Sequence, residues 1–228
     1  MKEVLLMLMP KVEVYYRDWE PEPGVCLRIR DESATLEDLL QAWQPLCDDS
    51  SLFKSFAHGN HAPCKGCTVN CCQTAYVIPD LISFRRMAEE LQLSYPEFLA
   101  HYFQAEKLAV GLPRMKPNPC IFLRNNICSI YPWRSLICRF YICTPLNGAT
   151  EQLIYSMTWT GITATIVQLE EEGLLEPQPG AGLSSMDMLF KDLIAEYRQN
   201  PGVGIFMQAK SYRDIPLLPF LDSYTEEL

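Results

Sequence analysis

Four cysteines occupy nine residues in the run CKGCTVNCC, Cys64 to Cys72, and the last two are adjacent. Four more, Cys120, Cys128, Cys138 and Cys143, lie in one later segment, so eight of the ten cysteines form two groups. A C-x2-C step lets two thiolates reach one metal from a tight turn, and thiolate-bound zinc or iron takes four ligands. Adjacent side chains point in different directions, so Cys71 and Cys72 are better suited to two centres, or two metals of one cluster, than to one ion. Cys26 and Cys47 stand apart, on an expected strand and an expected helix, and read as core thiols.

Compartment decides whether such thiols read as disulfides or as ligands. The apolar run from Val4 to Met9 stops at Pro10 with no small-residue cleavage site, and it is too short for a signal peptide or a membrane span. The expectation is a soluble, cytoplasmic protein, where dense cysteine patterns read as metal sites or redox thiols.

The formal charge of -9 argues against a nucleic-acid partner, because phosphate affinity comes from clustered Lys and Arg. The charge is uneven, however. Lys107, Arg114, Lys116, Arg124, Arg134 and Arg139 fall in a stretch to Thr150 that holds no Asp or Glu. A four-thiolate site carries net negative charge whose burial calls for compensation, and Arg134 and Arg139, flanking Cys138, are the candidates beside the cofactor.

The chain reads as mainly helical α+β, with short strands or hairpins around a cysteine-ligated metal centre. Residues 11–30 alternate in period two about PEPG and predict a hairpin. A helix is expected from Leu36 to Cys47 with Thr35 as N-cap, followed by a loop over 48–63 in which His58 and His61 read as solvated. After the cysteines, Asp80 should cap a helix bearing Leu81, Phe84, Met87, Ala88 and Leu91 on one face. Ser94 and Glu97 have capping-box spacing and predict a second helix to about Glu106, with His101 inside it. Two short strands about Asn125-Asn126, a helical turn from Pro132, a helix from Ser156 to Glu172 and another ending before Pro201 complete the pattern. This divides the chain into a hairpin plus helix (1–60), a cysteine-cluster region (61–145) and C-terminal helices packed on it (146–228).

The runs CKGCTVNCC, VIPDLISFRRMAEELQLSYPEFLAHYF and PCIFLRNNICSIYPWRSLICRFYIC resemble, in that order, the YkgJ-like cysteine-cluster family of zinc- or iron-chelating domains, over about residues 61 to 145. The segment from Cys128 to Arg139, C-x-I-Y-x-x-R-x-x-x-C-R, carries most of the likeness. Two departures stand out. Three residues rather than two separate Cys67 from Cys71, and Ser135 stands where proline is usual. The resemblance implies chelation by all eight clustered cysteines. It also admits a metal-dependent protein-modifying enzyme, because flagellin lysine methylases are a related group.

No C-x3-C-x2-C radical signature is completed, since position 74 is Thr74, and no dinucleotide, zinc-protease or nucleophile-elbow motif occurs. The adjacent cysteines, the apolar surroundings and the cationic block favour an iron–sulfur cluster, of the 4Fe–4S type, in a redox, sensing or structural role. The alternative is zinc in structural thiolate sites. A protein partner or substrate is admissible; catalytic residues are not identifiable from the pattern.

Overall fold

The computed structural model describes residues 10–17, 24–48, 72, 75–142 and 144–221. The loop expected over 48–63 thus lies almost wholly outside the described residues, as do His58, His61, Cys64, Cys67, Cys71 and Cys143.

The architecture is mainly helical α+β, as its patterning predicts. Strands β1 (Val12–Arg17) and β2 (Gly24–Ile29) pair antiparallel with Val12 opposite Ile29 and Tyr15 opposite Cys26. Helix α1 (Leu36–Asp48) buries Leu36, Leu39, Leu40, Trp43 and Cys47 on one face. Thr35 and Asp38 close its first turn reciprocally. The Asp38 carboxylate accepts from the Thr35 backbone N–H at 2.8 Å, and the Asp38 N–H donates to the Thr35 hydroxyl at 3.3 Å.

Helix α2 (Leu81–Glu90) begins at Asp80, whose carboxylate accepts from the Ser83 N–H at 3.1 Å. Helix α3 (Tyr95–Tyr102) opens with the expected Ser94/Glu97 capping box. It does not run on to Glu106. Phe103 leaves helical geometry, is almost fully buried and forms an isolated bridge with Met115; a single turn, α4 (Ala105–Leu108), follows. Burying one aromatic ring in the core outweighs the small propensity gain of one more helical residue. His101 is exposed, its Nδ1 2.8 Å from the Glu97 carbonyl oxygen.

Strands β3 (Leu123–Arg124) and β4 (Ile127–Cys128) form the second hairpin. Both residues of its turn, Asn125 and Asn126, have positive φ, at 50° and 59°, as a type I′ turn requires. A 3₁₀ turn (Tyr131–Trp133) leads to the short helix α5 (Leu136–Phe140).

Helix α6 (Gly148–Glu171) starts eight residues before the expected Ser156, because Asn147 caps it through its side-chain oxygen and the Ala149 N–H at 3.2 Å. An Asn-Gly pair after a proline reads as a turn, which hid this start. The chain reaches Asn147 along β2: the Val25 N–H donates to the Pro145 carbonyl at 2.9 Å, and the Asn147 N–H to the Val25 carbonyl at 2.9 Å. Only a glycine allows this approach, since a Cβ on Gly24 would lie 2.9 Å from Asn147 N and Leu146 C. Helix α7 (Ser185–Tyr197) follows as predicted, and helix α8 (Gly202–Gln208), absent from the pattern analysis, comes after Pro201.

The buried side chains form two clusters. One joins the first hairpin, α1, the start of α2 (Leu81, Ile82), α5, α8 and the C-terminal turns; the other joins the rest of α2, α3 and α7 with the second hairpin. Helix α6 belongs to both, giving Leu153, Met157 and Ala164 to the first and Ile162, Ile166 and Leu169 to the second. Its middle, residues 160–166, is buried all round, as expected of a helix enclosed by its neighbours. No helix among the described residues is long and apolar enough to cross a membrane.

Candidate metal centre

Three elements deliver the described members of the cysteine set. Cys128 ends β4, Cys138 is the third residue of α5, and Cys120 precedes β3. Cys72 joins them from the other group across 48 positions: the Cys120 N–H donates to the Cys72 carbonyl at 2.7 Å. The four thiols lie within electrostatic range of one another: Cys138 feels the charge of Cys120, Cys128 and Cys72, Cys128 that of Cys120 and Cys72, and Cys120 that of Cys72. Among the described residues, no group of three or more His, Cys, Asp or Glu is arranged to hold a metal ion by itself. The remaining cysteines of the predicted set, Cys64, Cys67, Cys71 and Cys143, lie outside the described residues.

Burial pushes the Cys128 thiol up to about 11 and the Cys138 thiol up to about 12, with repulsion from the neighbouring sulfurs adding to it. Cys120 is raised as well, again mainly by burial. Without a cation these sulfurs stay protonated. Partly buried thiols held together, with no carboxylate or imidazole among them in the described residues, make a soft donor set, which suits zinc, iron or an iron–sulfur cluster and not a hard oxygen-preferring ion. Loading such a set displaces the thiol protons.

The two arginines behave differently. Arg134 is 4% exposed and has no carboxylate within ion-pair distance among the described residues. Its Nη1 donates to the Tyr131 carbonyl at 2.8 Å, its Nε to the Cys138 carbonyl at 3.2 Å, and its guanidinium lies 3.7 Å from the Tyr131 ring centroid. Nη2 is buried without a hydrogen-bond partner among the described residues. The positive charge acts on Cys128 and on Cys47. A buried guanidinium without an acid is costly unless anionic groups face it, and thiolates would. Arg139 braces the backbone instead, donating from Nε to the Arg134 carbonyl at 3.2 Å and from Nη2 to the Pro132 carbonyl, with its guanidinium 5.6 Å from the Tyr212 ring centroid.

Of the other basic residues in that block, Lys107 grips the buried Asp187 carboxylate at 2.6 and 2.9 Å, Arg114 lies over Tyr76 at 4.2 Å, and Lys116 donates to the His101 carbonyl at 2.6 Å.

Pattern reasoning missed two contributors. Cys47, read as a core thiol, is indeed buried, but its sulfur lies against Arg134 and donates to the Arg139 carbonyl at 3.3 Å. Asp80, read only as the cap of α2, also accepts from the Leu136 N–H at 2.8 Å, at the first residue of the helix that carries Cys138, and from the Tyr212 hydroxyl at 3.0 Å. Only the burial of its carboxylate, which sequence does not report, distinguishes it from an ordinary cap.

Ser135 occupies the position where proline was the expected residue. Its hydroxyl lies 3.4 Å from the Cys138 sulfur and donates to it, so the substitution adds a hydrogen bond to a candidate ligand.

Neither the curated proteins nor the solved structures contain a match to the chain. A family model does match: CxxCxxCC, described as "Putative zinc- or iron-chelating domain", aligns with residues 63–159. That span holds all eight clustered cysteines, both arginines and the first half of α6, and over it the chain is similar to the zinc- or iron-chelating domain that the model describes.

Proposed function

We propose that this is a cytoplasmic iron–sulfur protein in which Cys64, Cys67, Cys71, Cys72, Cys120, Cys128, Cys138 and Cys143 supply the ligands of iron–sulfur clusters of the 4Fe–4S type, four thiolates to each. The observation that carries this reading is the approach of Cys72 to Cys120, Cys128 and Cys138 beside a buried arginine that has no ion-pair partner among the described residues. A bound cluster supplies one-electron chemistry or a rigid cross-link between chain segments. The chain's part is to bring distant cysteines together, to keep water from half-buried sulfurs and to offset their charge with Arg134. Arg134 and the Ser135 hydroxyl tune the sulfurs without ligating, since a guanidinium donates and does not accept.

Zinc in the same thiolates is the second reading, favoured by the range of metals in the family's own description. Anaerobic purification with elemental and sulfide analysis separates the two. The iron reading expects a brown protein with broad absorption near roughly 400 nm, typical of thiolate-bound iron clusters. A colourless protein carrying stoichiometric zinc overturns it.

A further inference from the structure

Beside the helix that carries Cys138 lies a cavity of about 270 Å³ that neither the cysteine chemistry nor the packing of the fold requires. Ile137 and Phe140 of α5 form one wall, and Ile154 and Trp159 of α6 the other. Tyr141 and Tyr155, each just over half exposed, stand at its mouth. Two polar groups break the apolar lining. The hydroxyls of Thr144 and Thr158, residues 8% and 5% exposed, have no hydrogen-bond partner among the described residues. Elsewhere on the same helix, Thr160 and Thr165 satisfy theirs by donating to the carbonyls of Ser156 and Pro79 at 2.7 and 2.8 Å, whereas the buried Thr163 hydroxyl, outside the cavity, has no partner among the described residues. Buried hydroxyls left unpaired are rare, because each forfeits the hydrogen bonds that it made in water. Here they line a space that a molecule can fill.

We infer that this cavity is a binding site for a small, uncharged, ring-containing molecule bearing a hydroxyl or carbonyl group. Size, charge and polarity each narrow the choice. An apolar cavity of about 150 Å³ suffices for benzene, so this one admits a substituted ring. Among the described residues no Lys or Arg lines it and Glu151 stands in the lining, so an anion would enter without a counter-charge from them. Two hydroxyls deep in an apolar wall match one polar substituent on an otherwise apolar body. Ile137 is the chain neighbour of Cys138, and Ile142 and Thr144 are those of Cys143, so an occupant presses on the segments that carry two of the proposed ligands. The inference itself does not rest on which metal is bound.

The test uses the full chain as purified, with 4-bromophenol as probe and bromobenzene and 4-bromobenzoate as comparators. Calorimetry gives the affinities, and the bromine's anomalous scattering in soaked crystals gives the position. The expected result is saturable binding of 4-bromophenol between α5 and α6, about five- to tenfold tighter than bromobenzene, as one net hydrogen bond allows, with no binding of 4-bromobenzoate. In the double variant Thr144→Val, Thr158→Val the phenol should lose that advantage while bromobenzene still binds. The wild-type comparison stands even if that variant does not fold. Absence of saturable binding, a bromine located elsewhere, or benzoate binding as tightly as the phenol would overturn the proposal. So would a dimer in sedimentation experiments whose interface fills the cavity, which would assign the site to a second copy of the chain.

Discussion

At Arg134 and Arg139 two neighbouring cations divide the work that either could have done. Arg134 is enclosed, stacked on Tyr131 and acts on Cys128, whereas Arg139 ties carbonyls together and faces Tyr212. Arg134→Ala should therefore lower metal affinity by about ten- to a hundredfold, the usual cost of losing a supporting contact around a metal, while Arg139→Ala retains most of the metal. Metal content after dialysis against a graded chelator series measures both, and equal losses would remove the distinction. Asp187 carries a second residue-level consequence. Burial works against its ionisation, but Lys107, the Ser184 hydroxyl and backbone, and the Tyr76 hydroxyl outweigh it and hold the carboxyl well below its usual range. A depressed folded-state value stabilises the protein fully above the ordinary carboxyl value of 3.8 and loses that contribution as pH falls below it toward the folded value. Asp187→Asn should cost about 3 kcal/mol at neutral pH, because it leaves Lys107 without its partner, and should flatten the acid limb of the stability curve below about pH 4. Denaturant midpoints between pH 2 and 7 would show it; parallel acid limbs in the two proteins would refute it.

Among the elements, the joint at Asp80 binds the most together. One carboxylate caps α2, holds the first turn of α5 and receives the Tyr212 hydroxyl, while Gly161 of α6 comes so close that a Cβ there would lie 2.7 Å from the Asp80 Cβ and 2.9 Å from the Phe206 ring. Asp80→Ala removes acceptors from several buried donors at once and should cost about 3 kcal/mol, lowering the thermal midpoint by about 10 °C. Gly161→Ala should destabilise through the same joint by about 1–3 kcal/mol, as overpacking does. If both variants melted with the wild type in calorimetry, the joint would be unimportant. These elements also show what could be read in advance. Hairpins and capped helices were legible wherever their signals are local: the alternation of β1 and β2, the Asn-Asn turn, the Ser94/Glu97 box. Helix starts and stops failed where distant residues decide, as at Phe103, which leaves its helix for a bridge to Met115, and at Asn147, which β2 positions. The cysteine groups were legible as a candidate chelating set, in keeping with the family description, because spacing is local. The cavity between α5 and α6, the enclosure of Arg134 and the second role of Asp80 depend on burial, which no pattern along the chain encodes.

For the molecule as a whole, the two hydrophobic clusters share α6, so neither can lose its packing without disturbing the other. Thermal unfolding followed by tryptophan fluorescence, far-ultraviolet circular dichroism and calorimetry should give one coincident transition, and separate transitions would show that the clusters are independent. Removing the metal should lower that transition without dividing it, since ligand binding to the folded form adds its free energy to the whole unit. The position of α6 in the sequence has a further consequence. Its residues 160–166 close over Pro79 and Asp80, which a ribosome makes some eighty positions earlier. The cysteines all precede that helix, so during synthesis every thiol emerges before the helix on which both hydrophobic clusters depend. A nascent chain therefore carries its proposed ligands on an incomplete core until α6 arrives. On this account, metal delivered to the completed chain meets a packed fold, and metal met earlier meets loose thiols.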